Sequence, residues 1–498
     1  MKIAVVGCGH GELERMYETI AHMEHERSIS IDLLIVCGDF QAVRNERDLD
    51  FMACPPKYRE LRTFHRFYSG AAVAPVLTLV IGGNHEASNH MWELPLGGWV
   101  APNIYYLGYA GVVRVGGLRI GGLSGIFKDN DFMRGHHERP FHVADEGMVR
   151  SFYHVREMDV FRLMHLGRSQ RPIDVFLSHD WPQGIANYGN VRRLLQEKAF
   201  LRQEVEENTL GSGPADVLLH AVKPLFWFSA HLHVKFAAMV PHPPTPPGPG
   251  QVRSRAPDAA SAAPRATRFL ALDKCLPGRH FIQVVDVPAP ADGTGTVAFE
   301  YDPEWQAILI ATHQFMNYWS RQPITMPPLP LQESVIALEL AKLRARTSDW
   351  AIPSNFVPTT PTQEEFQRGA TPGTSKFETL NNVTINPQTA LLCAKLEIPN
   401  PCAQSILGRR DVGPLPQTAP VASVVHNPDE ISLDDEDAAA DGAQSGSSVV
   451  NNPDEINLDD DVMEDESHGD DDTVHDDAPV SEAISGPSNP AEISLDDE

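Results

Sequence analysis

The sequence predicts an α/β layered protein, and two observations carry that expectation. Short apolar runs recur through the first 240 residues, at 3–6, 33–36, 76–81, 175–177 and 225–228. Between them, apolar side chains return at helical spacing. Strands that alternate with helices build a layered sheet-and-helix structure.

The elements follow in chain order. The run at 3–6 ends at Gly7, and Leu13, Met16, Tyr17 and Ile20 then share one helical face. The run at 33–36 ends at Cys37-Gly38, and Tyr58, Leu61, Phe64 and His65 share the next face. Residues 67–84 carry no charge, but their apolar part is only 76–81, with Pro75 before it and Gly82-Gly83 after it. That is a buried strand and too short to span a membrane, so no membrane partner is expected. Strand 175–177 precedes a helix through Val191, Leu194, Leu195 and Leu201, and strand 225–228 closes the series.

Residues 241–268 are Pro, Ala, Gly and Ser with basic punctuation, a linker or long surface loop. Patterned sequence resumes at Phe269, with a strand at 281–285 and a helix at 334–345, and order is expected to fade after about 400. The division is therefore 1–240, the linker 241–268, a smaller C-terminal domain at 269–400, and a disordered acidic tail at 401–498.

The chain has 498 residues and a formal charge of −27, and the charge is concentrated at one end. Residues 411–498 hold 26 Asp and Glu and no Lys or Arg, which leaves 41 acids against 40 bases elsewhere. The folded part is thus neither an acidic body repelled by nucleic acid nor a basic one that coats it nonspecifically. The tail repeats Asn-Pro-x-Glu-Ile-x-Leu-Asp-Asp three times, beginning at Asn427, Asn452 and Asn489. An Ile/Leu pair within acidic flanks suits docking on a basic, grooved protein partner. Six scattered cysteines make no disulfide framework and point to a reducing compartment. No secretory leader is read at the start, and no Lys/Arg-rich cluster marks nuclear import.

Each apolar run leads into a cluster rich in metal ligands. The clusters are Gly7-Cys8-Gly9-His10, Gly38-Asp39, Gly82-Gly83-Asn84-His85-Glu86, Ser178-His179-Asp180 and His231-Leu232-His233. Ligands gather at the carboxyl ends of strands in α/β sheets, and glycine beside them allows close approach. Any one cluster alone carries little weight; five in this order predict a metal centre on one rim.

This order and spelling resemble the calcineurin-like metallophosphoesterases, which read Asp-x-His, Gly-Asp, Gly-Asn-His-Asp/Glu, a lone His and Gly-His-x-His. The chain departs at Cys8, where most members have Asp, and at Ala230, where most have Gly. The cysteine is characteristic of the RNA lariat debranching enzymes. Longer stretches are similar to that family too: Gly82 to His90, Gly97 to Gly108, Ser124-Gly-Ile-Phe, Ser178-His-Asp-Trp-Pro, Ser229 to Ala238 and Phe269 to Pro277. The resemblance covers roughly 1–400 outside the insert and implies a metallophosphoesterase β-sandwich flanked by helices.

The resemblance also implies roles. Cys8, His10, Asp39 and His233 hold one metal; Asn84, His179 and His231 hold the other, with Asp39 bridging. Two cations about 3.5–4 Å apart activate water and neutralise charge on a phosphoryl transition state. A soft thiolate at Cys8 favours Fe²⁺ or Zn²⁺, with Mn²⁺ able to substitute. His85 faces the leaving group as general acid. The segment 124–154 recognises the lariat, with Lys128, Arg134, His136, Arg139, Phe141 and Tyr153 as candidate RNA contacts, cations for phosphates and planes for bases. The implied activity is hydrolysis of the 2′–5′ phosphodiester at the branch of excised intron lariats, in the nucleus, with no DNA substrate. The rival readings are another phosphodiesterase or nuclease of the same superfamily, and a non-enzymatic interaction protein built on the fold.

Overall fold

A computed structural model describes residues 1–139, 146–169, 171–243, 266–289, 297–369 and 385–408. Phe141, most of the 241–268 stretch and the chain after 408 lie outside these. Among the described residues, thirteen strands form two sheets. They are β1 (Lys2–Val6), β2 (Leu33–Val36), β3 (Thr78–Val80), β4 (Gly98–Ala101), β5 (Ile104–Tyr106), β6 (Ala110–Val115), β7 (Leu118–Leu123), β8 (Val175–Ser178), β9 (Phe226–Ser229), β10 (Phe236–Pro241), β11 (Ala266–Ala271), β12 (Ile282–Asp286) and β13 (Phe299–Tyr301).

The first sheet has the order β12-β1-β2-β3-β5-β4 and the second β10-β11-β9-β8-β7-β6-β13. In the first, β1, β2, β3 and β5 are parallel. In the second, β7, β8, β9 and β11 are parallel. Parallel strands are covered on both faces, which is why β2 and the first three residues of β8 are continuous apolar runs and not alternating ones. The sheets approach closely where β7 has glycine: a Cβ at Gly122 would lie 2.9 Å from Ile81 Cγ2. This is the α/β sandwich the sequence predicts.

Register places the site. Val6 pairs with Val36 and Val36 with Val80, so the chain leaves β1, β2 and β3 on one edge. Leu123 pairs with Ser178, and Leu177 with Phe228, so β7, β8 and β9 also end together. All five ligand clusters follow these strand ends.

The C-terminal region is woven into both sheets. β12 pairs with β1, β11 with β9 and β13 with β6. Helices Pro387–Leu396 and Pro401–Leu407 start with Asn386 and Asn400, whose side chains accept from backbone N–H groups two and three residues on, with proline at the first helical position.

Several boundaries differ from expectation. The face at 58–65 is not one helix: a short turn at Pro56–Tyr58 follows Pro55-Pro56, Arg62 is left-handed, and the helix begins at Phe64–Tyr68. The helix from Val191 stops at Glu197, with Leu201 in a separate turn. β10 and β11 enter the 241–268 stretch from both sides, Pro241 pairing with Ala266. Order continues beyond 400, because Pro401–Leu407 is a helix that buries Cys402 and Ala403. Among the described residues no helix is long and apolar enough to cross a membrane.

Candidate metal centre

Cys8, His10, Asp39 and His233 each present a ligand atom, all within 4.8 Å of one another. Four residues of the wider site, His10, Asp39, His231 and His233, have positive φ of 44°, 45°, 65° and 46°. Such backbone costs on the order of 1–3 kcal/mol per residue and persists only when the surroundings impose it. Here it turns side chains at strand ends back toward one point. The crowding is visible at glycine: a Cβ on Gly83 would overlap Asp39 Oδ1, and one on Gly38 would overlap the His179 ring.

His10 Nε2 and His233 Nε2 face each other at 3.3 Å. Burial pushes His10 down to about 3 and His233 well below its ordinary value, so both rings are neutral and offer lone pairs. Among the described residues His233 Nδ1 has no hydrogen-bond partner. With their protons on Nδ1, both rings turn an Nε2 lone pair inward, and two such lone pairs beside a thiol and a carboxylate are a donor set that fits a cation. Burial, then Asp39, drives the Cys8 thiol up without a cation, so metal binding and loss of its proton are coupled.

Asp39 reaches the second half of the site. Its Oδ1 lies 3.3 Å from His179 Nε2, which is 3.1 Å from Asn84 Oδ1. Burial opposes the Asp39 charge, but the neighbouring imidazoles, His179 foremost, outweigh it and hold the carboxyl well below its usual range. Burial also opposes charge on His179, and Asp39 prevails there, raising it. His231 packs with its ring 5.0 Å from that of His179, is lowered to about 3 by burial first, and donates its backbone N–H to Cys8 Sγ at 3.3 Å. The seven expected ligands thus converge as one constellation around Asp39. His85 stands at its mouth, its Nδ1 3.8 Å from Asp39 Oδ2 and its side chain 17% exposed.

Three supporting groups escaped the sequence reading. Glu86 is buried and accepts from the backbone N–H groups of Phe40 (2.7 Å), Gln41 (2.8 Å) and Gly83 (3.0 Å), tying the Asp39 loop to the Asn84 loop. Burial, then the Asp39 charge, raises Glu86 to about 7. Gln41 Nε2 lies 3.2 Å from His10 Nδ1, and the carbonyl of Cys37 accepts from His179 Nδ1 at 2.8 Å. The acidic end of the Gly-Asn-His-Glu cluster was the one sequence signal for Glu86; a glutamine two residues past an aspartate carries none.

The candidate RNA contacts divide. Lys128 is half-buried, and its charge is felt at His231 and Asp180, so it belongs to the rim. Arg134 is accessible and pairs with Asp131 at 2.7 Å, and Arg139 is half-buried. His136 and Tyr153 are corrected: both are buried. His136 bonds Asp159 at 2.6 Å and stacks on Tyr109 at 4.0 Å, so these two planes pack the core and are not open to a base. Phe141 lies outside the described residues.

Two family models match the chain: calcineurin-like phosphoesterase over residues 1–235 and the lariat debranching enzyme C-terminal domain over 264–401. Among curated proteins, lariat debranching enzyme A of Xenopus laevis is 45% identical over 89% of this chain and 82% of its own length. Lariat debranching enzyme of Homo sapiens is 49% identical over 80% and 69%, and that of Arabidopsis thaliana 43% identical over 88% and 96%.

Proposed function

The chain belongs to the lariat debranching enzyme family, and on that premise we propose that it hydrolyses the 2′–5′ phosphodiester at the branch point of lariat intron RNA, with the work divided among its residues as follows. The observation that carries the reading is the single carboxylate of Asp39, which meets Cys8, His10 and His233 on one side and His179 on the other.

Cys8, His10, Asp39 and His233 are the holders of one divalent cation, and Asn84, His179 and His231, sharing Asp39, of a second. Bound there, the pair supplies Lewis-acid activation of water and charge neutralisation at phosphorus. His85, at the mouth, protonates the departing branch 2′-oxygen. Its backbone N–H is fixed by Asp39 Oδ1 at 2.9 Å, which holds the ring over the site. Glu86 keeps the two ligand loops in register. Lys128, Arg134 and Arg139 offer cationic contacts for RNA phosphates on the rim.

Finer assignments belong to this reading as well. Cys8 supports Fe²⁺ or Zn²⁺ as resident metals, with Mn²⁺ substituting, because a thiolate is soft; metal analysis of anaerobically purified protein tests it. The repeated acidic motif supports a protein-docking role for the tail, and an intron substrate supports a nuclear location, which a fluorescent fusion tests.

The deciding experiment compares 2′–5′ branched RNA with linear 3′–5′ RNA of the same composition. Selective cleavage of the branch is expected. Equal rates would leave only a general phosphodiesterase.

A further inference from the structure

A cavity of about 770 Å³ opens at the end of the second sheet away from the metal centre. It is reached from the starts of β7 and β8, where Arg119 N–H donates to Asp174 at 2.7 Å. His179 follows the other end of β8, so strand length alone separates the two places by on the order of 15 Å. Five arginines line the cavity, Arg114, Arg119, Arg168, Arg171 and Arg344, against two glutamates, Glu304 and Glu333. Asp302, behind the wall, takes both Arg114 and Arg119 at 2.9 Å. With Asp174 as well, four acids stand against five arginines; Glu304 already pairs with Arg119, Glu333 with Arg168, and Arg171 donates to the carbonyl of Gly117, so the excess of positive charge is one and a phosphate would share these guanidinium groups with their present partners. Ile308, Ile336 and Leu340 add aliphatic lining from the same helices that carry Glu304 and Arg344.

One side chain marks this as more than a basic surface. His165 lines the cavity, is 4% exposed, and among the described residues neither of its ring nitrogens has a hydrogen-bond partner. A buried unpaired imidazole costs stability unless something else satisfies it. Burial, then Arg168, lowers His165 to about 4, so at neutral pH one nitrogen donates and the other accepts. A carboxylate can only accept and would satisfy one of them. A ribose beside its phosphate offers both a hydroxyl donor and an anionic acceptor, and satisfies both. Guanidinium forks suit phosphate oxygens, and the volume falls in the usual range for small-ligand sites of about 300–1,000 Å³.

We propose that this cavity is a second RNA site, which holds one nucleotide of the single strand running away from the branch, its phosphate among Arg168, Arg171 and Arg344 and its ribose at His165. The site anchors substrate and takes no part in bond cleavage. It rests on the debranching reading, since the strand it holds belongs to the branched substrate.

The test is steady-state turnover of the full chain on a minimal branched oligonucleotide and on branched RNAs with progressively longer single-stranded extensions. Two variants are compared with the parent: Arg344→Glu, at an exposed helical position, and His165→Leu, with circular dichroism and thermal melting to confirm folding. For the parent, KM falls once the extension is long enough to reach the cavity. In Arg344→Glu that gain shrinks at least tenfold and becomes less salt-dependent, while kcat and KM on the minimal branch stay at parental values. His165→Leu loses part of the gain. No dependence of parental KM on extension length, or the same dependence in Arg344→Glu, overturns the proposal. Unchanged RNA kinetics together with binding of an acidic peptide would assign the cavity to a protein partner and also overturn it. Failure of the parent to cleave even the minimal branch would instead count against the debranching reading.

Discussion

Asp39 Oδ1 accepts a hydrogen bond from the backbone N–H of His85 at 2.9 Å, while the His85 ring stands 3.8 Å from the other carboxylate oxygen. The residue that joins the two halves of the metal centre therefore also fixes the loop that carries the candidate acid. Because the bond comes from the backbone, removing the His85 ring leaves Asp39 anchored.

His85→Ala is accordingly expected to keep its metal and to lose about 10²–10⁴-fold in kcat, the usual range for a positioned general acid. Asp39→Ala removes the shared ligand and the anchor together, and is expected to lose metal as well as turnover. Metal content by elemental analysis, read beside turnover, checks both. Equal metal loss in the two variants would show that His85 is a ligand or a structural prop.

Cys8→Asp keeps the negative charge of the ligand and removes its softness. Activation is expected to shift toward Mn²⁺ and Mg²⁺ relative to the parent. Metal-activation profiles of the two proteins decide it; superimposable profiles would mean that the rest of the pocket sets selectivity.

The candidate ligands could be picked out because strand ends are legible. An apolar run followed by glycine and a coordinating residue is a local pattern, and parallel pairing brings local patterns to one edge. Glu86 was spelled within such a pattern, but its role depends on three N–H groups from two loops, which no spacing reveals. His136 and Tyr153 were misread for the opposite reason. Their residue types fit stacking on a base, yet Tyr109 and Asp159 claim His136 inside the fold. The 58–65 face misled because periodicity cannot see that Arg62 takes a left-handed backbone. Nothing in the sequence announced that β12 would complete the sheet built on β1, since antiparallel pairing across 280 residues leaves no local trace.

Gly83→Ala puts a methyl group where Asp39 Oδ1 already sits. The neighbour is the proposed shared ligand, held by the His85 backbone and by His179, so it cannot yield without leaving those contacts. Metal affinity is expected to fall by at least the roughly 10–100-fold that follows from disturbing groups which orient metal ligands. Chelator competition measures it. Parental affinity would mean that the loop shifts freely.

His136 gives a pH dependence away from the metal centre. Asp159 at 2.6 Å and Glu138 at 3.8 Å face the ring, Arg156 opposes its charge, and Tyr109 and Tyr318 stack on it. Burial opposes protonation, but Asp159 wins and raises His136 above 6.5. A raised folded value means that the stabilisation is complete below pH 6.5 and is lost as pH climbs through the folded value. Thermal melting from pH 6 to 9 should show this decline in the parent and a flatter profile in His136→Gln. Parallel profiles would remove His136 from the account.

Arg156 is fully buried and gathers the candidate RNA-recognition region around itself. It donates to Glu138 at 2.5 Å, to Ser151 O at 2.8 Å and to Asp131 O at 3.1 Å. Ser151 Oγ donates to the same Glu138 oxygen at 2.5 Å. The ion pair is not fully satisfied, since among the described residues Arg156 Nε and Glu138 Oε2 have no hydrogen-bond partner, so the pair as a whole contributes less than its short distance implies. Removing one member is a different matter, because the other is left charged in the interior. Arg156→Met is expected to cost about 3–5 kcal/mol, the range for breaking a buried pair. Arg156→Met combined with Glu138→Gln should recover part of that loss, because the orphaned carboxylate is gone. Urea denaturation of the parent, both single variants and the double variant closes the cycle. A loss in Arg156→Met below 1 kcal/mol, or a double variant no better than the worse single one, would show that the pair is not what holds Asp131, Glu138 and Ser151 together. Because Arg134 hangs from Asp131 at 2.7 Å, the double variant should also raise KM for branched RNA more than it lowers kcat. That split separates a loosened substrate surface from a damaged metal centre.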